Sequence, residues 1–322
     1  MRVTRRTLGL LAAATALRAG GAGAAGWPDH AVRVVVPYSP GGGADTVARI
    51  LFGKLGELLS ASFVIENRGG GAGTIGAAVA AQAPPDGYTL LHDATAFSVN
   101  PTLFERLPYD SARDFRPVFL AALVPNLLLV HPSVPVGTVA EVIALAKATP
   151  GGLDWASSGN GTVQHMALEL FARAAEIRLN HIPYRGGGPA LADLIAGNVK
   201  FFFSNASSST GHVQAGRVRA IAHTGAGRLR AFPELPPVSD TLPGFEAYEW
   251  NGVFTPAGAP DAVVERLSRA LNQAIADPGV AERLAGLNVE TRPNTPAEFA
   301  AYVAAETAKW GRVVREAGIR PD

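Results

Sequence analysis

The chain has 322 residues, of which 48% are hydrophobic and 17% charged, with a formal net charge of +1. That length and apolar content suit one large domain or two ordinary ones with a well-filled core. The near-neutral balance gives no general electrostatic case for nucleic acid or an anionic membrane, and the absence of cysteine excludes disulfides, thiolate metal sites and cysteine nucleophiles.

Arg2, Arg5 and Arg6 precede a short apolar run at 8–17, and the Ala/Gly tract at 19–26 offers small-residue cleavage sites. Residues 1–26 therefore read as a cleaved export signal. The pattern at 4–8 also resembles a twin-arginine signal, so the expectation is a periplasmic protein exported by the Sec or the twin-arginine route. No later stretch reaches transmembrane length.

Residues 32–36 are a buried strand, ended by Pro37 and Pro40. Gly41, Gly42 and Gly43 then allow the backbone to turn its N–H groups outward. Asp45 is placed to cap the helix that follows, whose Val47, Ile50, Leu51, Leu55 and Leu58 recur at helical spacing. The combination forms an anion cradle at a helix N-terminus. The pattern repeats with a strand at 63–66, a Gly-rich turn at 67–73, an Ala-rich helix at 74–83 and a strand at 88–92 that ends at Asp93. Residues 101–117 show no period and read as irregular.

Further on, strands are expected at 127–130, 153–156, 181–183, 199–203 and 218–223, and helices at 139–148, 163–175 and 189–195. Residues 204–210 read as a Ser-rich turn. A helix at 262–276 and a last helix behind the capping box at 295–298 close the chain, the latter carrying Phe299, Tyr302, Val303, Trp310 and Val313. Alternating strands and helices predict βαβ units in the α/β class.

Four strand-to-helix turns, around Gly41, Gly71, Gly159 and Gly187, fall at strand carboxyl ends, where open α/β sheets bind ligands. A P-loop is excluded, because no such turn carries the required lysine followed by Ser or Thr. Residues 71–76 fit GxGxxG, with Asp93 at the distance of a ribose-binding acid, so an exported NAD(P)-dependent oxidoreductase is the rival reading. Against it, 67–70 separate the strand from the fingerprint. HExxH and GxSxG are absent, and capping or turn formation accounts for Asp45 and Asp93. No enzyme activity, metal or cofactor is expected.

The stretches VPYSPGGGAD at 36–45, ENRGGGAG at 66–73 and PDGYTLL at 85–91 form an ordered set of motifs with 158–162 and His165, HIPYRGG at 181–187, and 250–260. From Trp27 to the C-terminus this set resembles the periplasmic solute-binding receptors of tripartite tricarboxylate transporters, the Bug family. The resemblance implies a two-lobed periplasmic-binding-protein (Venus flytrap) fold. Each lobe would be a mainly parallel sheet flanked by helices, with crossover strands at 125–130 and 252–256. Lobe 1 would comprise 27–123 plus 252–322, and lobe 2 would comprise 124–251. It further implies a monomer that clamps a small organic carboxylate and delivers it to membrane transporter subunits; the alternative reading is a binding protein whose loaded form addresses a sensor kinase instead. The ligand-binding residues it implies are Tyr38, Ser39, Pro40, Gly41, Gly42 and Asp45, then Gly73, Thr74 and Thr95. The later motifs add Ser157, Ser158, Gly159, Gly161, Thr162 and His165, then Tyr184, Gly186, Ser204 and Asn205. Glycine N–H groups, a helix dipole and hydroxyls suit a carboxylate without a permanent positive charge. The family pattern carries an acid after the Phe-rich strand where this chain has Ser204-Asn205, which favours a ligand without an amino group. Arg68 and Arg185, the cations of the glycine turns, would meet a second carboxylate or brace their own loops.

Overall fold

The computed structural model describes residues 26–184 and 186–321. The signal reading of 1–25 and the expectation for Arg185 lie outside the described residues. In chain order the elements are β1 (Val32–Val36), α1 (Gly43–Leu59), β2 (Phe63–Asn67), α2 (Thr74–Ala81), β3 (Thr89–Ala94), α3 (Ala96–Leu103) and β4 (Phe115–Val130). There follow α4 (Val139–Ala148), β5 (Leu153–Ser157), α5 (Val163–Ala174), β6 (Leu179–Pro183), α6 (Gly187–Ala196), β7 (Phe201–Asn205), α7 (Ala206–Gln214) and β8 (Arg219–His223). The last are β9 (Tyr248–Pro256), α8 (Asp261–Ala276), α9 (Pro278–Gly286) and α10 (Pro296–Ala317). No helix among the described residues is long and apolar enough to cross a membrane.

The strands form two sheets of the same plan. In the first, β2, β1 and β3 run parallel, and β9 and then β4 extend the sheet in antiparallel pairs. In the second, β6, β5 and β7 run parallel, β4 lies antiparallel beside β7, and β8 pairs β4. β4 belongs to both. Its residues Phe115 to Pro125 pair β9, and from Asn126 on it pairs β7 or β8. The short strand expected at 127–130 is thus the end of a 16-residue strand. Pro117 and Pro125 hid its length, since proline offers no ladder donor. Pro117 sits at a register shift, and Pro125 at the change of partner.

The chain returns to the first sheet at Ala247. Its N–H bonds the Thr224 carbonyl at 3.0 Å, and the next residue opens β9, which pairs only β3 and the first part of β4. This passage precedes the expected 252–256.

Three elements occupy stretches read as irregular or left unassigned. α3 accommodates Pro101 inside its last turn. α7 forms from the Ser-rich run because the Asn205 side chain accepts the Ser207 N–H at 3.0 Å, while the Ser208, Ser209 and Thr210 hydroxyls donate to the Asn205 and Ala206 carbonyls. α9 is capped by Asp277, which accepts from Gly279 and Val280. α10 ties the two sheets together: Phe299 packs on Trp250 and Phe254, whereas Trp310, Val313 and Val314 join the cluster of Trp155 and Phe171.

Candidate functional site

A cavity of about 460 Å³ lies between the carboxyl ends of the two sets of strands. One wall is the β1–α1 turn, with Tyr38, Ser39, Gly42, Gly43 and Ala44, and the β3–α3 turn, with Ala94, Thr95 and Ala96. The opposite wall brings Ser158, Gly161, Thr162, Val163 and Gln164 from the β5–α5 turn and Gly186, Gly187 and Gly188 from the β6–α6 turn. Asn205, Ser207 and Ser208 come from the β7–α7 turn, and Glu249 from β9.

The common feature is the helix N-terminus. The N-cap residues of α1, α3, α5, α6 and α7 are Gly42, Thr95, Thr162, Gly186 and Asn205, and all five line the cavity. Each helix start leaves N–H groups without intrahelical partners and carries the positive end of the helix dipole. Gly42 and Gly186 form no side-chain cap bond that would occupy those donors. No Lys or Arg lines the cavity among the described residues. The arrangement suits an anion held by dipoles and neutral donors.

The turn carrying Tyr38 is fixed from behind. Its hydroxyl donates to Asp93 Oδ1 at 2.7 Å, and Asp93 also accepts the Ala94 N–H at 2.7 Å. Burial pushes the Asp93 carboxyl up to about 7 against these two bonds, and burial also raises the Tyr38 hydroxyl well above its ordinary range. Asp45 does not cap α1. It accepts from the Gly41 N–H at 2.8 Å, Arg49 Nε at 2.9 Å and Asn67 Nδ2 at 3.0 Å, and Asn67 also donates to the Tyr38 carbonyl at 3.0 Å. Burial pushes the Asp45 carboxyl up, but bonds from Arg49, Gly41 and Asn67 outweigh it and hold the group below its ordinary value.

Of the residues expected at the site, Tyr38, Ser39, Gly42, Thr95, Ser158, Gly161, Thr162, Gly186 and Asn205 line this cavity. The others stand off it. Pro40 and Gly41 form the exposed tip of the first turn. Asp45 is buried behind it, and Gly73 packs behind Tyr38 and Asp93 with Thr74 opening α2. Ser157 turns inward to bond His181 Nε2 at 2.5 Å and to accept the Gly159 N–H at 3.0 Å. His165 stacks on His181 with ring centroids 3.7 Å apart and accepts the Gly161 N–H, so it props the turn from below. The Tyr184 hydroxyl donates to Asp193 at 2.7 Å, and Ser204 is buried within β7. Arg68 pairs with Glu66 in the exposed Gly-rich turn, off the cavity.

Sequence reasoning missed Gln164 and Glu249. Gln164 had no signal beyond its place in the first turn of α5. Glu249 had none at all, because only the pairing of β9 with β4 brings it to the cavity. Burial raises its carboxyl above the ordinary value, opposed by hydrogen bonds from Asn205 and Gln164.

Two linked α/β sheets with helix N-termini converging on the cleft between them define a periplasmic-binding-protein fold. The sequence matches the tripartite tricarboxylate transporter family receptor over residues 47–319, and the chain belongs to that family. It is 39% identical over 292 residues to the protein of the tcbD-tcbE intergenic region of Pseudomonas sp. strain P51, covering 90% of this chain and 87% of that one. Protein BugT of Bordetella pertussis is 32% identical over 297 residues, 91% of each chain. Among solved structures, Rpa4515 of R. palustris with adipate superposes with a TM-score of 0.82 at 34% identity, covering 92% of this chain and 100% of that one. MatC of Rhodopseudomonas palustris with bound malate gives 0.77 at 31% identity, covering 89% and 100%.

Proposed function

We propose that this protein is a periplasmic monomer that clamps a small organic carboxylate in the 460 Å³ cavity and presents it to the membrane subunits of a tripartite tricarboxylate transporter. The observation that carries the reading is the convergence of five helix N-termini on one cavity without a lining Lys or Arg among the described residues. The adipate and malate complexes of its relatives support the ligand class. Within this reading the lobes divide where β4 changes partner and where Ala247 returns, giving 26–125 plus 248–321 and 126–247.

Thermal unfolding of the purified protein against mono-, di- and tricarboxylates, adipate and malate included, tests the proposal. A ligand at a hundredfold over its dissociation constant adds about 2.7 kcal/mol to stability. A shift with NAD(P) and with no acid would sink it. Deleting the gene should abolish uptake of the acid that binds; unchanged uptake with lost induction would point to a sensor kinase.

A further inference from the structure

We infer that Asn126, a fully buried residue of β4 behind the cavity wall, is a positioning residue for the ligand: through Gln164 it pins the start of α5 to the place where the chain passes between the two sheets. The inference rests on the carboxylate-receptor reading and adds to it a residue buried away from the acid.

Asn126 stands where the two passages meet. It is the first residue of β4 to pair β7, and Ala247 immediately precedes β9. Thr224 ties them together. It gives its N–H to the Asn126 carbonyl at 2.9 Å, takes the Asn126 N–H on its hydroxyl at 2.9 Å, and accepts the Ala247 N–H on its carbonyl at 3.0 Å. The same hydroxyl donates to the Ala247 carbonyl. The Asn126 side chain closes this ring in one orientation. Because the Ala247 carbonyl can only accept, Nδ2 faces it, at 3.3 Å, and Oδ1 is left to accept Gln164 Nε2, at 3.0 Å. The Gln164 amide is thereby held in one sense as well.

Gln164 is the second residue of α5 and lines the cavity. The first N–H groups of a helix have no acceptor within it. In α5 the Thr162 side chain accepts the third, from His165; those of Val163 and Gln164 come before it at the cavity wall, where an anion is the fitting acceptor. Their place relative to the donors of α1 and α3 on the opposite wall depends on how firmly this helix start is fixed. The Asn126–Gln164 bond fixes it to β4, the strand common to both sheets.

Stability alone does not call for an amide here. The residues that follow in β4, Leu127 to Val130, are apolar and wholly buried, and the Ala247 carbonyl already has the Thr224 hydroxyl as a donor. Replacing two bonded partners together by apolar side chains is often neutral, whereas a matched buried network holds its members in a single arrangement.

Calorimetric titration of the purified protein with acetate, succinate, adipate, malate and citrate finds the acid that the wild type binds tightest, and a double-mutant cycle is run with that acid. Asn126→Leu should weaken binding about tenfold and Gln164→Leu by as much or more, and the double variant should bind no weaker than Gln164→Leu alone. Urea unfolding of the same variants tells this from a purely structural role, in which affinity would fall in step with stability. If Asn126→Leu does not fold, Asn126→Ser, too short to reach Gln164, takes its place in the cycle. Wild-type affinity in the Asn126 variant, losses that multiply in the double variant, or affinities that follow stability across the set overturn the inference and leave the carboxylate reading standing. Failure of every acid to bind the wild type overturns that reading and the inference with it.

Discussion

His92 and Asp93 stand side by side on β3, both buried, and burial acts on them in opposite directions. It holds the His92 imidazole down at about 4, from an ordinary 6.5, and pushes the Asp93 carboxyl up to about 7, from 3.8. Between about 4 and 6.5 the unfolded chain protonates His92 while the folded protein does not, so this residue makes stability fall as pH drops. Between about 3.8 and 7 the folded protein holds a proton on Asp93 that the unfolded chain has released, so this one makes stability fall as pH rises. Each slope is about 1.4 kcal/mol per pH unit, and over the shared window they cancel. Asp93→Asn keeps an acceptor for Tyr38 and removes one of the two. Its stability relative to wild type should therefore rise between pH 4.5 and 6.5 by on the order of 2–3 kcal/mol in urea unfolding. A pH-independent difference would refute the assignment. Asp45 gives a second test at this scale. Removing its carboxylate leaves Gly41, Asn67 and Arg49 without their shared acceptor, so Asp45→Ala should cost about 1–3 kcal/mol and weaken ligand binding about tenfold through a loosened turn. Wild-type affinity in that variant would show that the turn needs no brace.

β9 and α10 meet at one glycine. A Cβ at Gly252 would fall 2.1 Å from Phe299 Cζ, and neither the centre of a paired strand nor a ring packed on Trp250 and Phe254 can give way easily. Gly252→Ala should destabilise the protein by about 1–3 kcal/mol or more in denaturant unfolding. Elements of this kind also mark what the sequence concealed. The repeating strand, glycine turn and helix were legible because apolar runs stop at glycines and helical spacing begins just after them, and that put the turns around Gly41, Gly159 and Gly187 at strand carboxyl ends, where residues of the same turns line the cavity. α7 was not, since a run of serines reads as a turn until their hydroxyls are seen bonding back to Asn205 and Ala206. The length of β4 was masked by its prolines, and Glu249 by a pairing between strands more than a hundred residues apart. The family resemblance brought in His165, Ser157 and Tyr184, and in the structure their side chains bond within their own half of the cleft, His165 to the Gly161 N–H, Ser157 to His181 and Tyr184 to Asp193.

At the scale of the molecule, β4 and α10 decide how independent the two lobes are. β4 is one uninterrupted strand whose first part pairs β9 and whose last part pairs β7 and β8. α10 buries Phe299 in the core around Trp250 and Trp310 in the core around Trp155, so melting either lobe strips the other of packing. α3 does the same over a shorter span, with Phe97 on one side and Val99 and Leu103 on the other. Neither lobe can then unfold without exposing apolar surface that belongs to the core of the other. The expected consequence is a single unfolding transition. The four tryptophans sample both cores, Trp27 and Trp250 on one side, Trp155 and Trp310 on the other. Their fluorescence and the far-ultraviolet circular dichroism should give coincident midpoints in urea, and a bound acid should move both by the same amount. Two separated transitions, or a ligand shift confined to one of them, would mean that the lobes fold independently and that the shared strand and helix do not couple them.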